Sequence, residues 1–274
     1  MERGYEEVIE PRRAWWDADW AGLWRYRDLL FLLVRRDWVM RYRQTLLGPA
    51  WIILQPLLTT GIFAVIFANL LKIPTHGLPP VLFYLSGFLI WNFFARSVAA
   101  IAGTFTDHAA LFGKVYFPRL IIPLTVLLSN LIALTIQGMI FIGLACAWLH
   151  PGVFALALPL VVLEAALLAL GMGLWIAALT VRYYDLKNLV APLLNLWMLA
   201  TPVIYPASLV SERWQRLFFL NPMAPVIECA RYALFGTGTV IWQFLAATTV
   251  AVLAVLVTGI LIFNRVERTF VDIV

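Results

Sequence analysis

Charged side chains are scarce in this sequence. Asp, Glu, Lys and Arg make up 13% of its 274 residues, whereas soluble domains carry about 25%. The uncharged stretches are residues 44–71, 73–95, 120–163, 188–211 and 232–264. One apolar helix needs about 20 residues to cross a bilayer, so the longest stretch holds two crossings and a turn at His150-Pro151-Gly152. This pattern excludes a soluble globular protein and predicts an all-α polytopic membrane protein.

Cysteine, histidine and the motifs of catalysis are also scarce. Cys146 and Cys229 stand in no metal-binding or redox spacing, and we interpret them as unpaired thiols. The three histidines fall in loops, and none pairs with a carboxylate in a way that suggests catalysis. The sequence contains no phosphate-binding loop, His-Glu-x-x-His or Gly-x-Ser-x-Gly motif. We therefore expect no ATP binding, no cofactor, no metal site and no enzymatic activity in this chain itself.

Six apolar segments are predicted to be transmembrane helices, because backbone groups in lipid must be hydrogen bonded within the segment. They are residues 46–70, 81–103, 119–148, 153–179, 189–205 and 239–264. An even number of spans places both termini on one side of the membrane. Of the 20 Lys and Arg residues, 15 flank that side, four flank the other side and Arg96 lies within a span. This asymmetry predicts cytoplasmic termini, and because the basic residues flank spans, the net charge of +5 does not indicate nucleic-acid binding.

The spans divide the chain into residues 1–45, a membrane domain at 46–264 and a tail at 265–274. Residues 22–38 mix apolar and basic side chains at near-helical spacing, which predicts an amphipathic helix lying in the cytoplasmic interface. The alternative is an ordinary charged flank of the first span.

Two loops between the spans contain residues that typically begin or end helices. Residues 106–117 begin with residues that can cap a helix and are followed by Pro118, which predicts a short cytoplasmic helix rather than a plain connector. Residues 206–238 are apolar but broken by prolines. Asn221-Pro222 reads as an N-cap followed by proline at the first helical position. We therefore expect two short helices that re-enter the outer face of the membrane as a gate or, alternatively, as a rigid lid.

Two ionisable residues are predicted to lie within spans, Arg96 and Glu164. Such groups are costly in lipid and usually face the interior of a helix bundle. The two residues either pair with each other or lie in a solvated cavity. The third alternative is an ion-coupling site, which their small number disfavours.

Four motifs resemble the permease subunit of type 2 ABC exporters, in the polysaccharide branch that includes Wzm-like O-antigen permeases and the related teichoic-acid and capsule exporters. They are Arg36-Asp37 with residues 41–51 (RYRQTLLGPAW) and Gln55-Pro56, then residues 182–186 (RYYDL), residues 201–206 (TPVIYP), and residues 221–225 (NPMAP) with Arg231. The resemblance runs from about residue 25 to residue 265. The charged stretch before residue 22 departs from the shortest members of the family.

The resemblance implies a homodimer of six-span subunits, two copies of a separate ATPase that binds the ATP, and a channel along the dimer axis lined by spans 1 and 5. Such a complex moves a lipid-linked polysaccharide outward across the bacterial inner membrane. The alternatives are export of a drug or small lipid by the same family, an ion-coupled secondary transporter, or a membrane-embedded transferase.

The candidate site residues are chosen by their positions in the predicted spans and loops together with this resemblance. Aromatic faces stack on sugar rings, so the channel candidates are Trp51, Phe63, Trp91, Trp197 and Tyr205, with helix packing as the alternative for each. The candidates for coupling to the ATPase are Asp107, Phe112, Lys114 and Tyr116. The gate candidates are Trp214, Asn221, Pro222 and Arg231.

Overall fold

The computed structural model describes residues 20–43, 45–108, 117–146, 156–238 and 242–271. This part of the chain consists of helices, turns and loops without a strand, so the predicted all-α class is confirmed. The α-helices are α1 (Trp20–Arg25), α2 (Arg27–Tyr42), α3 (Trp51–Phe63), α4 (Pro80–Ala102), α5 (Thr104–Asp107), α6 (Ile121–Ala145), α7 (Leu158–Arg182), α8 (Leu186–Leu199), α9 (Glu212–Phe218), α10 (Met223–Phe235) and α11 (Trp242–Val271). A 3₁₀ turn at Gly48–Ala50 and a π-helical segment at Ala64–Leu70 extend α3 at its two ends.

Five helices are long and apolar enough to cross a membrane. They are Gly48–Leu70, which joins α3 with its two extensions, Pro80–Ala102, Ile121–Ala145, Leu158–Arg182 and Gln243–Glu267 within α11. They correspond to five of the six predicted spans, with ends displaced by a few residues.

The predicted span at 189–205 is different. The helix there, α8, has 14 residues and is therefore about 21 Å long, less than the roughly 30 Å of a hydrocarbon core. It ends at Leu199. Three residues later Pro202 supplies no backbone donor and disfavours a helical conformation at Thr201. Helix length alone therefore gives five spans in the described residues, and the prediction of one continuous helix over 189–205 is wrong.

Helix α4 lies at the centre of the bundle and packs against α3, α6, α7, α8 and α10. Large side chains are buried around its whole circumference, among them Phe83, Tyr84, Phe88, Trp91 and Phe94. A helix that is apolar on every side belongs in the interior of a bundle, so α4 is the scaffold against which the other helices are placed.

Helices α7 and α11 approach each other closely through two glycines. A β-carbon on Gly171 would lie 2.8 Å from backbone atoms of Leu256, and one on Gly259 would lie 2.6 Å from the carbonyl oxygen of Gly171. Small residues of this kind allow the tight helix contacts that stabilise membrane bundles.

The predicted helix at 22–38 is present as α1 and α2. Leu33 and Val34 are buried, and Leu33 packs with Phe117 and Ile121 at the start of α6. This side of α2 is therefore covered by protein. Phe31 and Leu32 are exposed on the other side, where apolar side chains are available to lipid.

Contacts between loops define the two ends of the bundle. At one end, His76, just before α4, lies 3.3 Å from the hydroxyl of Ser208. At the other end, Asp107, just after α4, forms an ion pair with Lys187 at the start of α8. Each contact thus joins two residues for which the basic residues predict the same side of the membrane.

Candidate functional site

Three of the five predicted channel aromatics, Phe63, Trp91 and Trp197, belong to two groups of ring contacts on α3, α4 and α8. The ring of Trp197 on α8 makes edge contacts with Trp91 and Phe94 of α4, at centroid distances of 6.0 and 5.4 Å. Phe63 stacks on Phe67 at 5.4 Å and meets the edge of Phe88 at 4.8 Å. Both groups therefore tie a peripheral helix to the central helix α4.

Burial separates these candidates. Trp91 is 2% exposed, so its ring is enclosed by its own subunit. Phe63 and Trp197 are partly buried, and Trp51, at the start of α3, is 41% exposed. Trp91 is therefore packed between helices of its own subunit, and the lining role predicted for it, like that of Trp51, Phe63, Trp197 and Tyr205, stays a prediction.

Exposed amides lie on the two helices predicted to line a channel. Gln55 of α3 and Asn195 of α8 are exposed. Gln55 lies roughly 10 Å from Gly48, where its span begins, and Asn195 lies roughly 14 Å from the start of α8. Most exposed side chains near them are apolar, namely Leu58 and Ile62 on α3, Val65 in the π-helical segment, and Leu189, Leu193 and Leu196 on α8. The described subunit leaves both polar groups uncovered at membrane depth.

Asn221 joins the end of α8 to the start of α10. Its side-chain oxygen accepts hydrogen bonds from the Trp197 indole at 3.0 Å and from the Met223 backbone at 3.1 Å. Its amide nitrogen donates to the Thr201 hydroxyl at 2.8 Å and to the Ala200 carbonyl at 3.1 Å. The carbonyl of Ala200 lies just past a helix end, where acceptors lack helical partners. Asn221 thus satisfies groups that the end of α8 leaves open.

Pro222 precedes the first residue of α10. The predicted first helical position is therefore one residue too early. The predicted second helix is nevertheless present, and the amide of Asn221 caps it through Met223.

A second connection, the outer clamp, consists of Glu228 and Arg231. The two side chains form an ion pair at 3.2 Å, with 4% and 3% of their side-chain surfaces exposed. Arg231 donates to the carbonyl oxygens of Pro202 at 2.6 Å and Val203 at 2.8 Å. Glu228 accepts from the backbone N–H of Ala207 at 3.3 Å. The outer clamp therefore fixes the non-helical segment 202–207 against α10.

The charge of Arg231 has further support from its surroundings. Its guanidinium lies over the ring of Phe83 at 3.9 Å, a distance at which cation and ring attract. Burial lowers the pKa of Arg231 to about 10, while the nearby Glu228 carboxylate raises it. The guanidinium is thus charged at neutral pH. A buried charge is tolerated when it is paired and hydrogen bonded, as it is here.

Glu228 was not among the predicted site residues. The available signal was an acid three residues before an arginine in an otherwise uncharged helix, because residues at this spacing share a helix face. Of the other gate candidates, Trp214 is exposed on α9. The channel candidate Tyr205 donates to the Leu199 carbonyl at 3.1 Å and contacts the ring of Phe218 at 6.1 Å.

The remaining predicted residues lie apart from this outer region. Asp107 pairs with Lys187, whereas Phe112, Lys114 and Tyr116 lie outside the described residues. Glu164 in α7 accepts a hydrogen bond from Thr249 of α11 at 3.0 Å. Arg96 is exposed near the end of α4.

Neither cysteine forms a disulfide. Within the described ranges, no three His, Cys, Asp or Glu residues are grouped so that they could hold a metal ion.

Comparison with known proteins identifies a family. The sequence model described as "ABC-2 type transporter" matches residues 28–235. An O-antigen export system permease protein, RfbA, from Myxococcus xanthus is 33% identical over 210 residues, which cover 75% of this chain and 79% of that protein. A Klebsiella pneumoniae protein with the same name is 26% identical over 248 residues, which cover 90% and 95% of the two chains.

Proposed function

This chain belongs to the ABC-2 type transporter family, and we propose from that premise that it is the membrane subunit of an ATP-driven exporter of a lipid-linked polysaccharide. The observation that carries the proposal is the similarity, along up to 90% of the chain, to proteins named as O-antigen export permeases. The sequence has no phosphate-binding loop, so a separate ATPase must bind the ATP. The complex contains two copies of each subunit and resides in the inner membrane of a bacterium.

The polysaccharide passes between two copies of this chain, along α3 and α8. Support comes from Gln55 and Asn195, which are exposed on these helices. Polar groups are costly against lipid, so they favour a surface covered by a partner subunit or wetted by a path. Phe63, Trp197 and Trp51 offer ring faces along the same helices, and stacking can grip successive sugars without fixing their hydroxyl pattern.

The chain crosses the membrane six times, and α8 makes the fifth crossing together with residues 200–206. Lys187, at one end of this segment, pairs with Asp107, and Ser208, just beyond the other end, meets His76. These partners flank α4, a helix of 23 residues. The short helix thus spans the same distance as α4 because seven non-helical residues complete it. Both termini then lie in the cytoplasm, as the excess of Lys and Arg indicates.

Residues 206–238 close the outer end of the path. The contacts of the partly buried Asn221 and the buried outer clamp tie this segment to the end of α8. The segment therefore moves together with residues 200–207 rather than sliding past them, and its opening is coupled to a shift of α8.

The ATPase docks on the cytoplasmic segment 106–117. Support comes from its position between α4 and α6, and from the ion pair between Asp107 and Lys187, which joins the two cytoplasmic loops on either side of α6 and α7. A movement of the docking segment is thereby transmitted to α8, the helix that lines the path.

The proposal is tested in the source bacterium by deleting the gene for this chain. We expect surface polysaccharide to disappear and lipid-linked polymer to accumulate inside the cell, since synthesis does not need the exporter. Supplying the chain should restore surface polymer, but not when the partner ATPase carries a substitution that abolishes hydrolysis. Full restoration with the inactive ATPase would exclude an ATP-driven exporter.

A further inference from the structure

Pro56 interrupts the backbone hydrogen bonding of α3. The helix runs from Trp51 to Phe63 with Pro56 in its interior. In a regular α-helix the N–H of residue 56 would donate to the carbonyl oxygen of Ile52, but proline has no N–H. The Ile52 carbonyl therefore lacks its helical donor. Ile52 is 5% exposed, and a buried carbonyl without a donor costs free energy.

Gln137 of α6 supplies the donor that Pro56 lacks. Its side-chain nitrogen donates to the carbonyl oxygen of Ile52 at 2.8 Å, which is a normal distance for an N–H···O hydrogen bond. Neighbouring helices commonly satisfy the backbone groups that a proline leaves open within a membrane. The two residues are 85 positions apart, so this is a contact between distant helices and not a local cap.

This hydrogen bond is the polar connection of α3 to the bundle. Between described residues, no other side-chain hydrogen bond joins α3 to a neighbouring helix. The aromatic contact of α3 with α4 lies farther along the helix, where Phe63 meets Phe88. Helix α3 is therefore held by rings beyond Pro56 and by Gln137 before it.

Apolar packing beside the proline is incomplete. A cavity of about 20 Å³ lies between three helices and is lined by Pro56 and Leu57 of α3, Leu89 of α4 and Phe141 of α6. It has room for about one water molecule, and the atoms around such a gap lose contacts across it. Gln137 is the only polar side chain among the described residues that line it. The position of this part of α3 thus depends on a directional hydrogen bond more than on close packing.

We propose that Gln137 is a positioning residue. It replaces the backbone donor that Pro56 lacks and thereby fixes the place of α3 against α6. Gln55, an exposed amide of the proposed path, directly precedes Pro56, so the same bond determines where this amide lies. The inference rests on the proposed function in one respect, namely that α3 lines the path.

The test compares the loss of this donor with and without the proline. Gln137→Met keeps the length of the side chain but removes the donor. Pro56→Ala restores an N–H that can donate to the Ile52 carbonyl within α3. Both single variants and their combination are made, with Thr135→Val as the matched control. Thr135 lies on the same helix as Gln137, but its hydroxyl donates to the Leu131 carbonyl one turn earlier.

Thermal unfolding of the purified full-length chain in detergent is the first measurement. Gln137→Met should lower the melting temperature by roughly 3–8 °C, because it leaves a buried carbonyl without a donor. In the Pro56→Ala background the same substitution should cost less than about 2 °C, since the backbone then supplies the donor. Thr135→Val should cost less than about 2 °C in both backgrounds. Equal losses for Gln137→Met in both backgrounds would overturn the inference.

The second measurement reports the position of α3. Spin labels are attached to cysteines at Leu58 of α3 and Ile132 of α6, both of which are exposed, in a variant without Cys146 and Cys229. The labelled chain is diluted with unlabelled chain, and the distance within one subunit is measured by pulsed electron paramagnetic resonance. Gln137→Met should shift or broaden the distance distribution, whereas Thr135→Val should leave it unchanged.

An unchanged distribution in Gln137→Met would overturn the inference, because α3 would then keep its place without the bond. If Gln137→Met does not fold, recovery of the fold by Pro56→Ala supports the inference, and failure to recover it overturns the inference. If Pro56→Ala does not fold by itself, the distance measurement decides. Neither ATPase nor glycan enters these measurements. A chain that shows the expected coupling but exports no polysaccharide would contradict the proposed function and leave the role of Gln137 in placing α3 standing.

Discussion

Individual side chains at the outer end of the subunit replace hydrogen bonds that the backbone cannot make for itself. Residues 200–207 contain two prolines and follow the end of a helix, so several of their carbonyls have no helical donors. Asn221 and Arg231 supply those donors from another part of the chain. The polar residues in this apolar region therefore serve first to hydrogen bond the local backbone. Their role in gating acts through these backbone contacts.

Replacing Arg231 with Ala should destabilise the folded subunit by about 3–5 kcal/mol, because it leaves the Glu228 carboxylate buried without its cation. Arg231→Ala combined with Glu228→Leu should recover part of this loss, since no unpaired charge then remains. Thermal unfolding of the detergent-extracted subunit, compared across both single variants and the double variant, measures the coupling. Additive losses would show that the ion pair contributes nothing of its own.

Trp91 and Trp197 touch each other, yet their substitution should have different consequences. Trp91→Ala should lower the stability of the subunit by about 3–5 kcal/mol, the cost of removing a large buried aromatic side chain. Trp197→Phe keeps a ring against α4 but loses the hydrogen bond to Asn221. It should leave a folded dimer and change the rate of polymer export.

Surface polysaccharide and the yield of extracted dimer are measured together for both of these variants. A loss of export in Trp197→Phe that merely follows a loss of dimer would place Trp197 with Trp91 as a packing residue. Phe94→Leu is a suitable control, because Phe94 contacts both tryptophans and is fully buried.

Among the helices, α8 shows most clearly which structural features can be predicted from a sequence pattern and which cannot. The absence of charge at 188–211 correctly indicated an apolar segment, but it could not show where the helix ends. Pro202 and Pro206 determine that end, and the long-range contacts of Asn221 and Arg231 stabilise the non-helical continuation. The five long spans were predictable because each needs only uninterrupted apolar length.

The two helices within residues 212–235 were predictable from local sequence, because Asn221 and Pro222 separate them. The partners of Arg231 were less accessible, because pairing with residues 202 and 203 depends on how distant helices pack. The burial of Trp91 was also not predictable from its mid-span position. Its mid-span position suggested a lining role, and only the packing around α4 shows that it is enclosed.

The crossing made by α8 can be tested by labelling. Single cysteines at Thr75, Ser211 and Asp272 are introduced into a variant without Cys146 and Cys229, and intact cells are treated with a thiol reagent that cannot cross the membrane. Positions 75 and 211 should react and position 272 should not, because six crossings return the chain to the cytoplasm. Labelling at 75 but not at 211 would mean that α8 fails to cross.

The proposed coupling to the ATPase is assigned to the segment between α5 and α6. Replacing Phe112 and Tyr116 with Asp should abolish co-purification of the ATPase, because unpaired carboxylates in a contact core cost several kcal/mol. The matched control replaces Trp214 with Asp, since that residue is exposed on α9 at the predicted outer side. Wild-type recovery of an active ATPase with the first variant would rule out docking at this segment.

The whole molecule has one end fixed by the contacts of Asn221 and the outer clamp and a second end to which we assign the coupling segment. The helices between them divide into a packed centre around α4 and two peripheral helices, α3 and α8, with exposed amides at membrane depth. This division is expected of a subunit whose path lies at its edge and is completed by a second copy. The family assignment and the arrangement of the helices therefore lead to the same functional conclusion.

Transport by purified components tests this conclusion most directly. The chain and its partner ATPase are incorporated into liposomes loaded on one side with lipid-linked polysaccharide, and polymer reaching the other leaflet is detected with an impermeant lectin. We predict export that requires ATP hydrolysis and both proteins, and that stops when α3 and α8 of neighbouring subunits are cross-linked through cysteines at Gln55 and Asn195. Export by this chain alone, or export that continues after complete cross-linking, would contradict the account.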